Sequence, residues 1–199
     1  MNLREQFERW RDKGVPVYFY DIIKGNHGDE LIRLGARKLA DDVGLKYTKL
    51  IELSVLEDNA VIYIDGSGGV GVEYFKVPFY YFILRNFNPK NTIVIGPTTY
   101  MLNFKLKYAF NDDNLILYAR EQTSYDFLKN GFKVKEVRLD HCPSIYLTKE
   151  DFKEYIKDSK PLFASLFRRE DPEMTSFTPV DEINFDIILD PCKFNTYGS

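Results

Sequence analysis

The hydrophobic pattern of the chain alternates between short apolar runs and longer amphipathic stretches. The short runs predict strands at residues 16–23, 45–51, 60–65, 91–95, 114–118, 132–138, 161–167 and 184–189. Helical patterns lie between them at residues 29–43, 73–86, 121–130 and 149–157, and Leu3, Phe7 and Trp10 mark a helix at the N-terminus. This alternation predicts a doubly wound, mostly parallel α/β sheet with a layer of helices on each face.

Two residues carry signals for helix boundaries. Pro78 falls inside the second helical pattern and should end or kink its first turn. Gly131 follows the third pattern and suits the left-handed residue that closes a helix. Because open parallel sheets bind ligands outside the carboxyl ends of their strands, the residues that follow each strand are the candidate site.

Composition narrows the class of protein. The 199 residues are 44% hydrophobic and 29% charged, which is typical of one globular core. The net charge of −3 argues against a basic nucleic-acid-binding protein, and two cysteines are too few for a disulfide framework or a zinc site. No apolar run approaches the roughly 20 residues of a membrane span. The first seven residues lack the apolar core of a signal peptide, so a cytoplasmic protein is expected.

The first candidate site follows the first predicted strand, in the run Lys24-Gly25-Asn26-His27-Gly28-Asp29-Glu30. The glycines allow backbone N–H groups to approach a ligand, and the N-terminus of the following helix favours an anion. Asp29 is placed to cap or line that helix end, and His27 has a side chain that exchanges protons near neutral pH. A tight strand-to-helix turn with an aspartate cap explains the same residues equally well.

A glycine-rich loop, Asp65-Gly66-Ser67-Gly68-Gly69-Val70-Gly71, follows the third predicted strand. It fits the dinucleotide pattern G-x-G-x-x-G, but that pattern expects an acidic residue about 20 positions later. Residues 74–111 contain no Asp or Glu, so NAD binding is disfavoured. The loop suits a phosphate, a sugar or a moving lid, and a glycine turn required by close packing is the alternative.

The acid-free stretch at residues 74–111 carries five basic residues: Lys76, Arg85, Lys90, Lys105 and Lys107. Such a local basic region suits an anionic substrate or a membrane surface. Alternatively, these residues solvate the outer face of an aromatic helix. The aromatic residues concentrated at residues 73–88 either form a thick core or face a partner.

Polar residues also follow the later strands. Thr98 and Thr99 stand at the end of the fourth predicted strand. Arg120 follows the fifth strand, where its guanidinium could bind a carboxylate or a phosphate, and Ser124 lies one helical turn later. An Arg120 that pairs with Glu121 or Asp140 is the structural alternative.

The run Asp140-His141-Cys142 invites a catalytic interpretation. However, neighbouring residues on a strand point to opposite faces, which disfavours a direct Asp140–His141 dyad. Cys142 as a nucleophile would need a base from elsewhere, and no two-histidine spacing indicates a metal site.

Taken in order, these loops resemble the polysaccharide pyruvyl transferase family. The matching pieces are the run from Gly25 to Ile32, the glycine-rich loop, residues 93–98, Ala119-Arg120-Glu121 with Ser124, and Asp140 before a small-residue strand. The resemblance implies two Rossmann-like halves, similar to GT-B glycosyltransferases, with the active site between them. Residues 1–167 would form the N-terminal half, and residues 168–199 the crossover and the start of a second β/α unit.

The resemblance also implies a reaction. The pyruvyl unit of phosphoenolpyruvate would be transferred to two hydroxyls of a glycan or lipid-linked sugar as a ketal, with no metal or other cofactor. Asp29 is the candidate for contacting or deprotonating the sugar hydroxyl, and His27 and Asp140 are the other candidate catalytic residues. The candidate substrate-binding residues are Gly25, Asn26, Gly28, Gly66, Ser67, Gly68, Gly69, Thr98, Arg120 and Ser124.

Members of this family are generally longer, and their second half is implied to supply the Arg and His that hold phosphoenolpyruvate. We therefore expect that these 199 residues alone do not transfer pyruvate. Two other functions stay open: a nucleotide-sugar-dependent glycosyltransferase-like domain, and a non-catalytic interaction domain that uses the aromatic residues 73–88. Contact with a membrane surface and self-association are further expectations.

Overall fold

The computed structural model describes residues 1–20, 27–52, 54–66, 70–71, 76–101, 112–132, 134–152, 165–167 and 187–189. In chain order its elements are α1 (Leu3–Lys13), β1 (Val17–Tyr20), α2 (His27–Asp42), β2 (Thr48–Leu50), β3 (Val61–Ile64), β4 (Val70–Gly71), α3 (Lys76–Phe87), β5 (Thr92–Thr98), β6 (Tyr100–Met101), β7 (Leu115–Ala119), α4 (Gln122–Asp126), β8 (Glu136–Leu139), β9 (Ser165–Phe167) and β10 (Ile187–Leu189). A π-helical segment over Phe127–Phe132 continues α4, and 3₁₀ turns follow at Pro143–Tyr146 and Lys149–Phe152.

Over the described residues, six strands form one sheet in the order β2-β1-β3-β5-β7-β8. Every neighbouring pair in it is parallel. Because parallel neighbours need a crossover connection, the helices between the strands must pack on the faces of the sheet. The predicted doubly wound, parallel α/β fold, a Rossmann-like architecture, is confirmed.

The central strand β3 is buried on both faces of the sheet because it is apolar at every position. All four residues of β3 are at most 4% exposed. Its Val61 and Tyr63 pack on the side of α1 and α2, where Phe7 and Leu39 also lie. Ile62 and Ile64 pack on the opposite side, with residues of α3. A run of this kind, apolar on both faces, is typical of a central parallel strand.

The second and third predicted helices are bounded differently from the sequence-based expectation. α3 begins at Lys76 rather than at residue 73, so Pro78 lies in the first turn, where its missing N–H has no intrahelical acceptor to lose. The predicted helix at residues 121–130 becomes α4 and then the π-helical segment, which contains Gly131 instead of ending before it. After this segment the Val134 N–H donates a hydrogen bond to the Leu128 carbonyl at 3.3 Å, and both side chains are buried.

The fourth predicted helix is a 3₁₀ turn over Lys149–Phe152 in the described residues, and residues 153–157 lie outside them. Asp151 accepts hydrogen bonds from the backbone N–H and the hydroxyl of Thr148, at 2.7 and 2.9 Å, which fixes the start of the turn. Two predicted strands begin later than expected, β1 at Val17 and β8 at Glu136 rather than at residue 132, whereas β5 extends beyond its predicted end to Thr98.

Two small parallel pairs accompany the main sheet. β4 pairs with β6, and β9 pairs with β10. The strand predicted at residues 184–189 therefore pairs with β9 and does not join the six-stranded sheet. Among the described helices, none has the length and apolar character that a transmembrane span requires.

Candidate active site

The topology places a crevice at the carboxyl ends of β1 and β3. β2 and β3 lie on opposite sides of β1, so the strand order reverses there. α2, which follows β1, covers one face of the sheet, and α3, which follows β3, covers the other. In open α/β sheets, ligands bind at such a switch point.

The first turn of α2 forms one wall of this crevice. The helix begins at His27, two residues before the predicted start, so Asp29 lines the first turn and does not precede it. Gly28 is exposed, and Asp29 and Glu30 are half-buried. Acidic side chains in a first turn are stabilised by the partial positive charge of the helix N-terminus. Gly25, Asn26 and the side chain of His27 lie outside the described residues.

A buried ion pair joins α2 to the end of β3. Arg33 Nε lies 3.1 Å from Asp65 Oδ2, and the two side chains are 6% and 5% exposed. Arg33 also pairs with Glu30, one turn earlier on α2. This pair therefore ties the helix that begins at the first candidate loop to the strand end that begins the glycine-rich loop.

Sequence reasoning missed the role of Arg33, although a signal was present. Arg33 lies three and seven residues before Ala36 and Ala40, which are fully buried on the inner face of α2. A basic residue at that spacing lies on the buried side of a helix and needs a charged partner. Asp65, directly after a buried strand, is that partner.

Gly66 packs against the end of β5. A Cβ atom on Gly66 would lie 2.5 Å from the Gly96 carbonyl oxygen, 2.6 Å from that of Pro97 and 2.8 Å from Thr98 Cβ. The loop after β3 then continues into β4, where the Val70 N–H donates to the Thr99 carbonyl at 2.8 Å. Close packing thus requires this glycine. Ser67, Gly68 and Gly69 lie outside the described residues, so their binding role stays a prediction.

The ends of β5 and β7 meet beside this loop. Thr98 is fully buried, and its hydroxyl has no hydrogen-bond partner among the described residues. Its carbonyl accepts from the Arg120 N–H at 3.0 Å, and Arg120 Nε donates to Thr99 Oγ1 at 2.8 Å. Arg120 thus lies at the same sheet edge as Gly66, and it contacts Thr99 rather than Glu121 or Asp140.

Ser124 has a local structural role in the described contacts. Its backbone N–H donates to Glu121 Oε2 at 2.8 Å, so Glu121 caps α4. Its hydroxyl donates to Glu121 and accepts from the Tyr100 N–H at 2.8 Å. Ser124 is 2% exposed, so these contacts hold β6 and the loop around it. Its part in substrate binding stays a prediction.

Asp140 follows β8, whose axis lies three strand spacings, about 14 Å, from that of β3. Its carboxylate accepts from the Leu3 N–H at 2.5 Å and from the His141 N–H at 2.8 Å. It therefore holds the N-terminus of α1 onto the end of β8. The described contacts are structural, and a catalytic role for Asp140 stays a prediction.

Tyr63 lies under this edge with its phenol against Gly96. Burial, and to a lesser extent the Asp65 carboxylate, raises the pKa of Tyr63 well above its ordinary value. The phenol is therefore neutral at physiological pH. Tyr63 therefore fills space beneath this edge of the sheet as a neutral polar group, without adding a negative charge.

Comparison with known proteins gives the site its context. A family model described as polysaccharide pyruvyl transferase matches residues 26–189. The chain belongs to the polysaccharide pyruvyl transferase family. The resemblance predicted from the loop motifs is thereby confirmed, and the matched region includes the described parts of every candidate loop.

A solved structure is similar in fold to this pyruvyl transferase family member. It is a functionally uncharacterised protein, KP1_0663, from Klebsiella pneumoniae subsp. pneumoniae NTUH-K2044, with a TM-score of 0.61 and 20% sequence identity. The match covers 87% of this chain and 67% of that one. At that identity the likeness shows the fold alone. Among curated protein sequences, none matches the chain significantly.

Proposed function

We propose that this chain serves the transfer of pyruvate from phosphoenolpyruvate to two hydroxyls of a glycan sugar. The observation that carries the proposal is the membership of the family, through a match that covers residues 26–189. The topology supports it, because the carboxylates in the first turn of α2 lie at the switch point and suit contact with a sugar, and Arg120, at the same edge of the sheet, suits an anionic donor.

The chemistry sets what the site must supply. The methylene carbon of the enol takes a proton, which leaves a cationic centre at the carbon that bears the phosphate. One sugar hydroxyl adds there and loses its proton. A second hydroxyl then displaces phosphate, and the product is a cyclic ketal with a methyl group and a carboxylate. The reaction needs a general acid, a general base and cationic groups that hold the anions.

We assign the contact with the sugar hydroxyl to Asp29. It is half-buried in the first turn of α2, at the switch point. Asp65 is a poorer candidate for proton transfer because it is buried and paired with Arg33. We therefore propose that the Arg33–Asp65 pair fixes the loop before α2 relative to the loop after β3. We propose that Arg120, which contacts Thr99, binds an anionic group of the substrate.

Acceptor-dependent release of phosphate tests the proposal. The purified chain is incubated with phosphoenolpyruvate and a panel of oligosaccharides, and products are analysed by mass spectrometry. Products heavier than the acceptor by one pyruvate less one water would support the proposal, and they would overturn the expectation that these 199 residues alone do not transfer pyruvate. The Asp29→Asn variant should lose this product, whereas Asp41→Asn, at the exposed far end of the same helix, should retain it. Transfer of a hexose from a nucleotide sugar instead would overturn the proposal in favour of a glycosyltransferase.

A further inference from the structure

The outer side of α3 carries three exposed phenylalanines. Phe79 is 49% exposed, Phe82 41% and Phe87 47%, and we call these three residues the phenylalanine face. The opposite side of the helix buries Tyr81 and Leu84, at 2% and 0% exposure, against the sheet. The phenylalanine face is therefore additional to the contact that α3 makes with the core of the described residues.

Charge is segregated around this helix. Residues 74–111 contain five basic residues and no acidic residue, while the remainder of the chain holds all 30 acidic residues and 22 of the 27 basic ones. The helix itself carries Lys76 and Arg85 and no acid. Two of the five bases are paired with acids from elsewhere: Arg85 with Asp112 at 2.5 Å, and Lys90 with Asp58 at 2.6 Å. An anionic surface that approaches α3 therefore meets a helix with no acidic residue of its own, whereas the residues outside 74–111 carry 22 basic and 30 acidic residues and hence a net charge of −8.

A second copy of the chain fits this surface poorly. The three rings expose about 270 Å², given the usual area of a phenylalanine side chain. A stable homodimer buries about 800 Å² on each partner, roughly three times as much. Two copies joined through this face would also bring two basic segments together. A bilayer needs no such shape complementarity, and it accepts aromatic rings at its interface while its anionic headgroups attract basic residues.

We propose that α3 docks on the surface of an anionic lipid bilayer, with the phenylalanine face in the interface. The contact is peripheral, since a 12-residue helix is too short to span a bilayer. The proposal goes beyond the proposed function and does not depend on it. If the substrate is carried on a lipid, this contact brings the chain to the surface that holds it.

Vesicle co-sedimentation tests the proposal without any measurement of activity. The full chain is mixed with phosphatidylcholine vesicles that contain either no phosphatidylglycerol or a third of it. We expect binding to the anionic vesicles alone, and a decrease of that binding as salt is raised. The Phe79→Ser/Phe82→Ser variant should bind the anionic vesicles at least about tenfold more weakly than the wild-type chain.

The matched control is Leu31→Ser/Leu34→Ser, which removes two side chains of α2 that are each 41% exposed, on the opposite face of the sheet from α3. Circular dichroism checks that both variants keep the fold. Equal binding of both variants, or no preference for anionic vesicles, would contradict the proposal. A concentration-dependent dimer that only the phenylalanine variant loses would replace it with self-association.

Discussion

Removal of Arg33 should be among the most damaging single substitutions at the site edge. Arg33 and Asp65 are 6% and 5% exposed, and Arg33 Nε lies 3.1 Å from Asp65 Oδ2, so Arg33→Met removes this ion pair from a buried carboxylate. Breaking a buried pair in this way costs about 3–5 kcal/mol. The lost contact with Glu30 adds little, because that carboxylate is 42% exposed and can be hydrated. Since domains of this kind are stable by about 5–15 kcal/mol, the variant should be close to unfolding.

A double-mutant cycle in urea separates this cause from a general loss of packing. With a slope of about 2 kcal/mol per molar urea, Arg33→Met should lower the unfolding midpoint by about 2 M. The double variant Arg33→Met/Asp65→Leu removes both charges, and it should recover most of the lost free energy of unfolding. The reasoning is refuted if Arg33→Met costs less than about 1 kcal/mol, or if the two single effects simply add in the double variant.

Three further outcomes follow from the contacts at this edge. Gly66→Ala should lower the free energy of unfolding by about 1–3 kcal/mol, since its Cβ would overlap rigid backbone, and an unchanged urea midpoint would contradict the packing assigned to it. Asp140→Ala should lower the free energy of unfolding by about 0.5–2 kcal/mol, because the Leu3 N–H loses its acceptor. Amide hydrogen exchange in α1 should become faster, and an unchanged exchange rate would contradict the role given to this contact. Burial raises the pKa of Tyr118 to about 12 and raises that of Tyr63 well above its ordinary value, so their contribution to the free energy of unfolding should be complete below the unfolded value near 10 and fall as pH rises above it; ionisation of all 14 tyrosines before unfolding would contradict this.

The fold was largely predictable because each strand is a short apolar run that a helical pattern or a polar loop separates from the next strand. The unbroken apolar run of β3 indicates a central parallel strand, and the position of the loops at one sheet edge follows once all neighbours are parallel. The π-helical segment was not predictable, because no local pattern of residues 121–132 distinguishes it from a continued α-helix.

The site was predictable as a set of loops but not as a set of contacts. The Arg33–Asp65 pair requires α2 to lie over the end of β3, which depends on the strand order. The contact of Asp140 with Leu3 joins residues 137 positions apart. The sequence made Asp140 a candidate catalytic residue and Ser124 a candidate substrate-binding residue, but it could not predict the structural partners of their side chains. For Ser124 the signal was present, since the spacing from Glu121 is that of a helix cap.

The pyruvate ketal content of the host's glycans tests the proposed function most directly. Deletion of the gene should remove the ketal methyl signal from the proton NMR spectrum of the purified glycans. Expression of the wild-type protein and of Asp41→Asn should restore it, and expression of Asp29→Asn at equal abundance should not. Unchanged ketal content after deletion, or the loss of a glycosidically linked sugar with its ketals intact, would contradict a pyruvyl transferase function.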